Sequence, residues 1–288
     1  MAHDDRRPAP DPVGTPGSGP HRIPYSGPDL RPGLCSVTLR AHPVRQVLVF
    51  AASAGLAAVE WGADVHVPPG DTAHAKEVAF LTADAGLAVA SYGTYVRLGE
   101  PGQGEAAVLA AASALGAPRI RVWAGALGSA RAGRDYRAAV AAAGRRLAAR
   151  AADAGVIVGL EFHGGTLTDT PESAYALLSD IGRDDVGTYW QPPQGEPDEI
   201  ALAGLDRVAA HVVGVHAFSW WPTDERRPLA DRRPLWDAVA ARLRQRGLPT
   251  DVLLEFVAGD DAAQLRADAA TLRAVLGPRG AERGMPTA

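Results

Sequence analysis

A single cysteine, Cys35, in 288 residues leaves no intrachain disulfide to be made. That excludes an oxidised secretory scaffold and favours a reducing, cytoplasmic setting. No run of about 20 uncharged apolar residues occurs, so neither a transmembrane helix nor a membrane partner is expected. The first 33 residues hold 8 Pro and 5 Gly and lack the apolar stretch of a signal peptide. Basic residues are not in excess: 29 Lys and Arg stand against 33 Asp and Glu, a formal net charge of -4, which makes nucleic acid a poor partner. With 47% hydrophobic and 22% charged residues, collagen, coiled coil and wholesale disorder are excluded as well.

What is present is one repeated grammar. Residues 1–33 read as a Pro/Gly-rich tail or clasp and 278–288 as a second tail, and between them 34–277 alternate apolar strand-like runs with Ala-rich helical stretches. The strands are expected at 35–39, 56–61, 87–92, 119–123, 156–162, 186–191, 212–218 and 251–257. Each is followed by a helix that opens near Ser, Thr or Pro and in several cases stops at Gly. Eight such units in about 245 residues match a single-domain (β/α)8 TIM barrel, typically of about 250 residues. An open doubly wound sheet would carry a Gly-rich first turn for a nucleotide, but the first turn here reads TLRAHPV.

In a barrel the strand interiors are apolar, and chemistry gathers where the C-terminal strand ends open onto loops. Four consecutive strands end on polar groups: Glu161 (LEF), Gln191 (YWQ), His216 (VHAF) and Glu255 (LEF). Period-two alternation places Gly159 on the face of Glu161, Gly187 and Tyr189 on that of Gln191, Gly214 on that of His216, and Leu253 on that of Glu255. Glycines below the polar groups could leave room for a pocket floor. Two carboxylates in one mouth repel each other and lose hydration, and a divalent cation resolves both penalties. Glu161, His216 and Glu255 suit Mn, the first choice, or Mg, Co or Zn, with Gln191 able to offer only its amide oxygen.

The segments VEWGAD (59–64), GLEFHGG (159–165), VGTYWQPPQ (186–194), VVGVHAF (212–218) and LLEFV (253–257), in that order and spacing, resemble the xylose-isomerase-like barrel superfamily. Within it, the resemblance is to the sugar phosphate isomerase and epimerase group that includes ketose 3-epimerases and inosose dehydratases. It implies metal ligands at Glu161, His216 and Glu255, with Gln191 where the group has Asp. It also implies that Glu161 and Glu255 are catalytic. Two departures stand out: Gln194 replaces a substrate-binding His, and AFSWWP after His216 lacks the customary Asp and Arg.

The function implied is a divalent-metal-dependent epimerase or isomerase of an unphosphorylated polyhydroxy ketone, sugar or glycoside. In it one glutamate removes a proton beside the carbonyl and the other returns it to the enediolate. A metal-dependent sugar or inosose dehydratase uses the same enolate, and a non-catalytic carbohydrate-binding barrel would follow from an incomplete metal shell. Candidate substrate contacts are Glu60, His66, Trp123, His163, Gln194, Trp220 and Trp221, indole faces being suited to sugar C–H surfaces. Trp61 and Trp190 offer the same surface or ordinary burial. Arg97, Arg226 and Arg227 could receive phosphate, but Arg226 and Arg227 belong to the mixed run DERRPLADRR, which reads as a solvated loop or a subunit contact in a homo-oligomer, and nothing in the sequence supports phosphate specificity.

Overall fold

A computed structural model describes residues 30–245, 247 and 249–277. Eight parallel strands alternate with eight helices. The strands are β1 (Leu30–Cys35), β2 (Ala58–Gly62), β3 (Ala88–Arg97), β4 (Arg119–Trp123), β5 (Ile157–Glu161), β6 (Val186–Trp190), β7 (Val212–Ala217) and β8 (Thr250–Leu254). The helices are α1 (Val44–Ser53), α2 (Thr72–Asp84), α3 (Glu105–Leu115), α4 (Arg134–Ala152), α5 (Pro171–Ile181), α6 (Asp198–Val208), α7 (Arg233–Gln245) and α8 (Ala262–Leu276). Each strand pairs with its neighbours in the chain, and β1 closes the barrel on β8 through pairs such as Leu30 with Thr250 and Leu34 with Leu254. This is the (β/α)8 barrel expected from the sequence. No helix among the described residues is long and apolar enough to cross a membrane.

Local chemistry sets the helix limits. Asp71 accepts from the His74 amide, Thr170 from Ser173, and Asp261 from Ala263 and Gln264, so three helices begin on side-chain caps. α3 stops at Gly116 and α5 at Gly182, both left-handed, a conformation that costs glycine nothing.

The first strand departs from the expectation. The run 35–39 divides between the end of β1 and a 3-10 turn (Ser36–Leu39), and β1 starts at Leu30, inside the segment assigned to the tail. Pro32 is tolerated because it lies one residue below the first β1–β2 pair, Gly33 with Ala58, and its carbonyl still accepts from the Ala57 amide. The remaining tail positions, 1–29 and 278–288, lie outside the described residues. A short antiparallel ribbon, Ser219–Trp220 with Arg226–Arg227, follows β7 and has no counterpart in the sequence reading.

Most of the core lies between strands and helices. Trp61 donates to Thr82 Oγ1 there, and Trp190 packs edge-on to Trp236 at 6.3 Å, so these two indoles serve the interlayer core. Inside the barrel a small separate cluster joins Cys35, Ala58, Ala90, Tyr189 and Leu253. A Cβ on Gly159 would meet the Tyr189 ring at 2.5 Å and one on Gly214 at 2.3 Å, while one on Gly187 would meet Val213 at 2.3 Å. Gly159 and Gly214 therefore make room for a packed tyrosine and Gly187 for Val213, rather than for an open floor.

Candidate metal centre at the barrel mouth

Glu161 closes β5, His216 lies near the end of β7, and Gln191 and Glu255 immediately follow β6 and β8. One ligand atom from each of Glu161, His216 and Glu255 lies within 4.8 Å of the others, and all three side chains are buried. His216 Nδ1 is the point of convergence: Gln191 Oε1 is 3.0 Å away, Glu255 Oε2 3.2 Å and Glu161 Oε1 3.8 Å. Tyr189 supports the imidazole from below, ring centroids 5.2 Å apart.

The opposite imidazole nitrogen faces a second group. His216 Nε2 has no hydrogen bond, although Glu60 Oε1 is 3.6 Å away, and Cys35, Glu60 and His216 also bring three ligand-type atoms within 4.8 Å of one another. Glu60 is not a loop carboxylate waiting for hydroxyls: it is 1% exposed, accepts from Ser91 Oγ at 2.6 Å and pairs with Arg121 Nε at 3.0 Å. Arg121 also donates to Glu161 Oε2, which accepts from Trp123 Nε1 at 2.5 Å as well. One guanidinium thus bridges Glu60 and Glu161, and a Cβ on Gly93 would run into that bridge at 2.7–2.8 Å.

Electrostatics separate these groups. Burial opposes ionisation of Glu60, but Arg121 and then His216 outweigh it and hold its pKa below the ordinary value. Burial likewise opposes ionisation of Glu255, and His216 then Arg121 bring its pKa down. Burial disfavours the His216 imidazolium, while Cys35, Glu255 and Glu60 favour it, and the net displacement is upward. Burial pushes the Cys35 thiol up, so the thiol is neutral and the carboxylates are the physical source of the His216 shift.

The donor set fits a divalent cation. Three carboxylates and one guanidinium leave two negative charges uncompensated when His216 is neutral. With Nδ1 ringed by three oxygens and Nε2 facing Glu60 Oε1 at 3.6 Å, His216 would ligate a cation through Nδ1 with a carboxylate behind the ring. Gln191 in place of a carboxylate lowers donor charge at this shell.

The other expected contacts divide. Trp123 and His163 are beside the cluster, ring centroids 4.7 Å apart, and His163 Nδ1 is 2.7 Å from Gly164 O. Trp220 packs on Phe218 and Phe256 at 5.0 and 5.8 Å, and Trp221 is 36% exposed. Gln194 is exposed in the loop after β6. His66 is buried, with Nδ1 3.0 Å from Ser36 Oγ and Nε2 3.0 Å from His42 O, and burial lowers its pKa. Arg226 and Arg227 are paired with Asp260 and Glu225. Sequence reading passed over Arg121, Ser91 and Cys35. The signal for Arg121 was the alternation R-I-R-V-W, which puts two arginines on one face of β4.

A family model described as "Xylose isomerase-like TIM barrel" matches residues 48–275. Among solved structures, the probable 3-DHS dehydratase AsbF from Bacillus anthracis superposes with a TM-score of 0.69 at 17% identity, over 84% of this chain and 98% of that one. A D-psicose 3-epimerase gives 0.67 at 16%, over 86% and 100%. A xylose isomerase-like TIM barrel protein from Mycobacterium smegmatis, solved with magnesium, gives 0.63 at 16%, over 88% and 98%. At such identities the likeness is one of fold. Comparison with curated protein sequences finds no match.

Proposed function

The chain belongs to the xylose isomerase-like TIM barrel family, and from that premise we propose a divalent-metal-dependent epimerase or isomerase of a polyhydroxy ketone. The observation that carries this reading is the convergence of Glu161, His216 and Glu255 within 4.8 Å at the C-terminal strand ends. These three would hold the cation, with Gln191 Oε1 beside them, and Mn is favoured over Mg, Co or Zn. When bound, the cation supplies Lewis-acid stabilisation of charge developing on a carbonyl oxygen.

The protein's own groups do the rest. Glu161 and Glu255 take and return the proton at the carbon beside the carbonyl: transfer across opposite faces inverts that centre, and transfer along one face moves the carbonyl. Arg121 and Trp123 fix Glu161 Oε2 and leave Oε1 toward His216. Glu60 holds Arg121 and faces Nε2 of the imidazole. Substrates of this kind are small polyhydroxylated ketones met in a cytoplasmic, reducing setting. Loss of hydroxide after the same proton abstraction would make the protein a dehydratase, the activity in the name of the AsbF structure.

The test is the metal-loaded protein in D2O with ketohexoses, inososes and ketoglycosides, following deuterium at the carbon beside the carbonyl, stereochemistry and loss of water. Deuterium incorporation with inversion and no dehydrated product is expected. Glu161→Gln and Glu255→Gln should each slow it by about 10²–10⁴-fold. Exchange unchanged in both variants would show the assigned chemistry to be wrong, and product lacking water would select the elimination.

A further inference from the structure

Beside the carboxylate cluster at the mouth, Arg97 has no ion pair among the described residues. Arg97 is the last residue of β3 and stands in register with Trp123 at the end of β4, so both side chains leave the same face of the sheet. Its guanidinium lies over the Trp123 ring, 4.0 Å from the centroid, and the same indole donates to Glu161 Oε2. Beyond that stacking, one terminal nitrogen makes a long bond to Gly125 O at 3.4 Å. Its backbone is pinned by Gln103 Oε1 at 2.9 Å.

Among the described residues Arg97 forms no ion pair, whereas Arg40, Arg226, Arg227 and Arg232 are paired with Asp64, Asp260, Glu225 and Asp198. Of the nearby carboxylates, Glu100 Oε1 lies 3.5 Å from the Tyr136 hydroxyl, and Asp169 Oδ2 accepts from the Ser129 amide. A guanidinium half-buried on an aromatic face keeps its orientation, and its planar donors match a carboxylate or phosphate. The charge count agrees. On the reading of the cluster proposed above, a divalent cation with Glu60, Glu161, Glu255 and Arg121 sums to neutrality, which leaves the positive charge of Arg97 uncompensated beside it.

We propose that Arg97 is an anion-recognition residue: the substrate is a polyhydroxy ketone bearing a carboxylate or phosphate, which Arg97 receives while the ketone end meets Glu161 and Glu255. This rests on the proposed function for the ketone end only. Trp123 ties the two ends together, carrying Arg97 on its face and Glu161 on its N–H.

The experiment compares three probes of one skeleton, fructose, fructuronate and fructose 6-phosphate, by calorimetric binding to the full chain with Mn2+. The readout is the ratio of each anion's Kd to that of fructose, so a general weakening cancels. An advantage of about tenfold or more for one or both anions is expected, falling to near unity in Arg97→Met and partly restored in Arg97→Lys, with melting curves confirming that each variant folds. The anion with the larger Arg97-dependent advantage identifies the group recognised. A ratio near unity in the unaltered protein, or one that Arg97→Met leaves unchanged, overturns the proposal. Anion preference without proton exchange would overturn the proposed function and leave this site standing, and exchange without anion preference would do the reverse.

Discussion

The two ends of the barrel both bury charge, and they do so to opposite effect. At the N-terminal floor, Arg119 donates through its three nitrogens to Ala90 O, Val213 O and Asp251, and Asp251 also takes Arg31 at 2.5 Å. Every donor of Arg119 named here meets an acceptor supplied by the fold. At the mouth, three carboxylates stand against one guanidinium, which pairs with Glu60 and Glu161 only, and His216 Nε2 has no hydrogen bond. A network whose donors are met within the fold is a structural device, whereas carboxylates in excess of cationic groups call for a partner from outside. The cavity of about 380 Å3 lined by Arg31, Leu115 and Arg119 lies at the floor, where Arg31 and Arg119 share Asp251 and the Arg119 nitrogens are already met by acceptors. The excess of carboxylates over cationic groups marks the mouth instead.

The largest expected effect breaks the floor. Asp251→Ala strands Arg119, which is 3% exposed, and should cost about 3–5 kcal/mol in denaturant unfolding. Glu255→Gln in the metal-free protein removes one of several crowded carboxylates and should cost far less than that. Equal losses for the two would erase the distinction between the ends.

A smaller effect sharpens the comparison through pH. In the metal-free protein the folded pKa of His216 lies above its ordinary 6.5. Its contribution to stability is thus fully present below 6.5 and is lost as pH rises through the folded value. Glu60 and Glu255 are displaced below the ordinary 4.5, so theirs is present above 4.5 and lost as pH falls through the folded values. Cys35, Glu60, Glu161 and Glu255 all face this imidazole, and a cation at Nδ1 must displace its proton. Cation affinity should accordingly weaken as pH drops below the raised His216 value, by up to about tenfold per unit, in calorimetric titrations between pH 5 and 8. Flat affinity over that range would remove His216 from the ligand set.

The sequence carried much of this plan in its punctuation and strand endings. A helix stop at Gly116, and polar residues closing four successive apolar runs, are local signals. Glu161, Gln191, His216 and Glu255 could be picked out without knowing what surrounds them. The parts that stayed hidden are relations between strands. R-I-R-V-W shows two arginines on one face of β4 but not that Asp251 waits below and Glu60 with Glu161 above. Gly159 and Gly214 looked like space, and the ring that fills it comes from Tyr189 on the strand lying between theirs. The start of β1 was masked by Pro32, because local propensity could not show that the lost N–H falls below the first pair with β2.

Titration of Mn2+ into metal-free protein by calorimetry, with elemental analysis of the product, tests the central claim most directly. One equivalent should bind to the unaltered chain, His216→Ala and Glu255→Gln should each weaken it by at least about tenfold, and Asp251→Asn at the floor should leave the stoichiometry of the folded protein at one. No cation bound, or one bound with undiminished affinity after His216→Ala, would contradict the account.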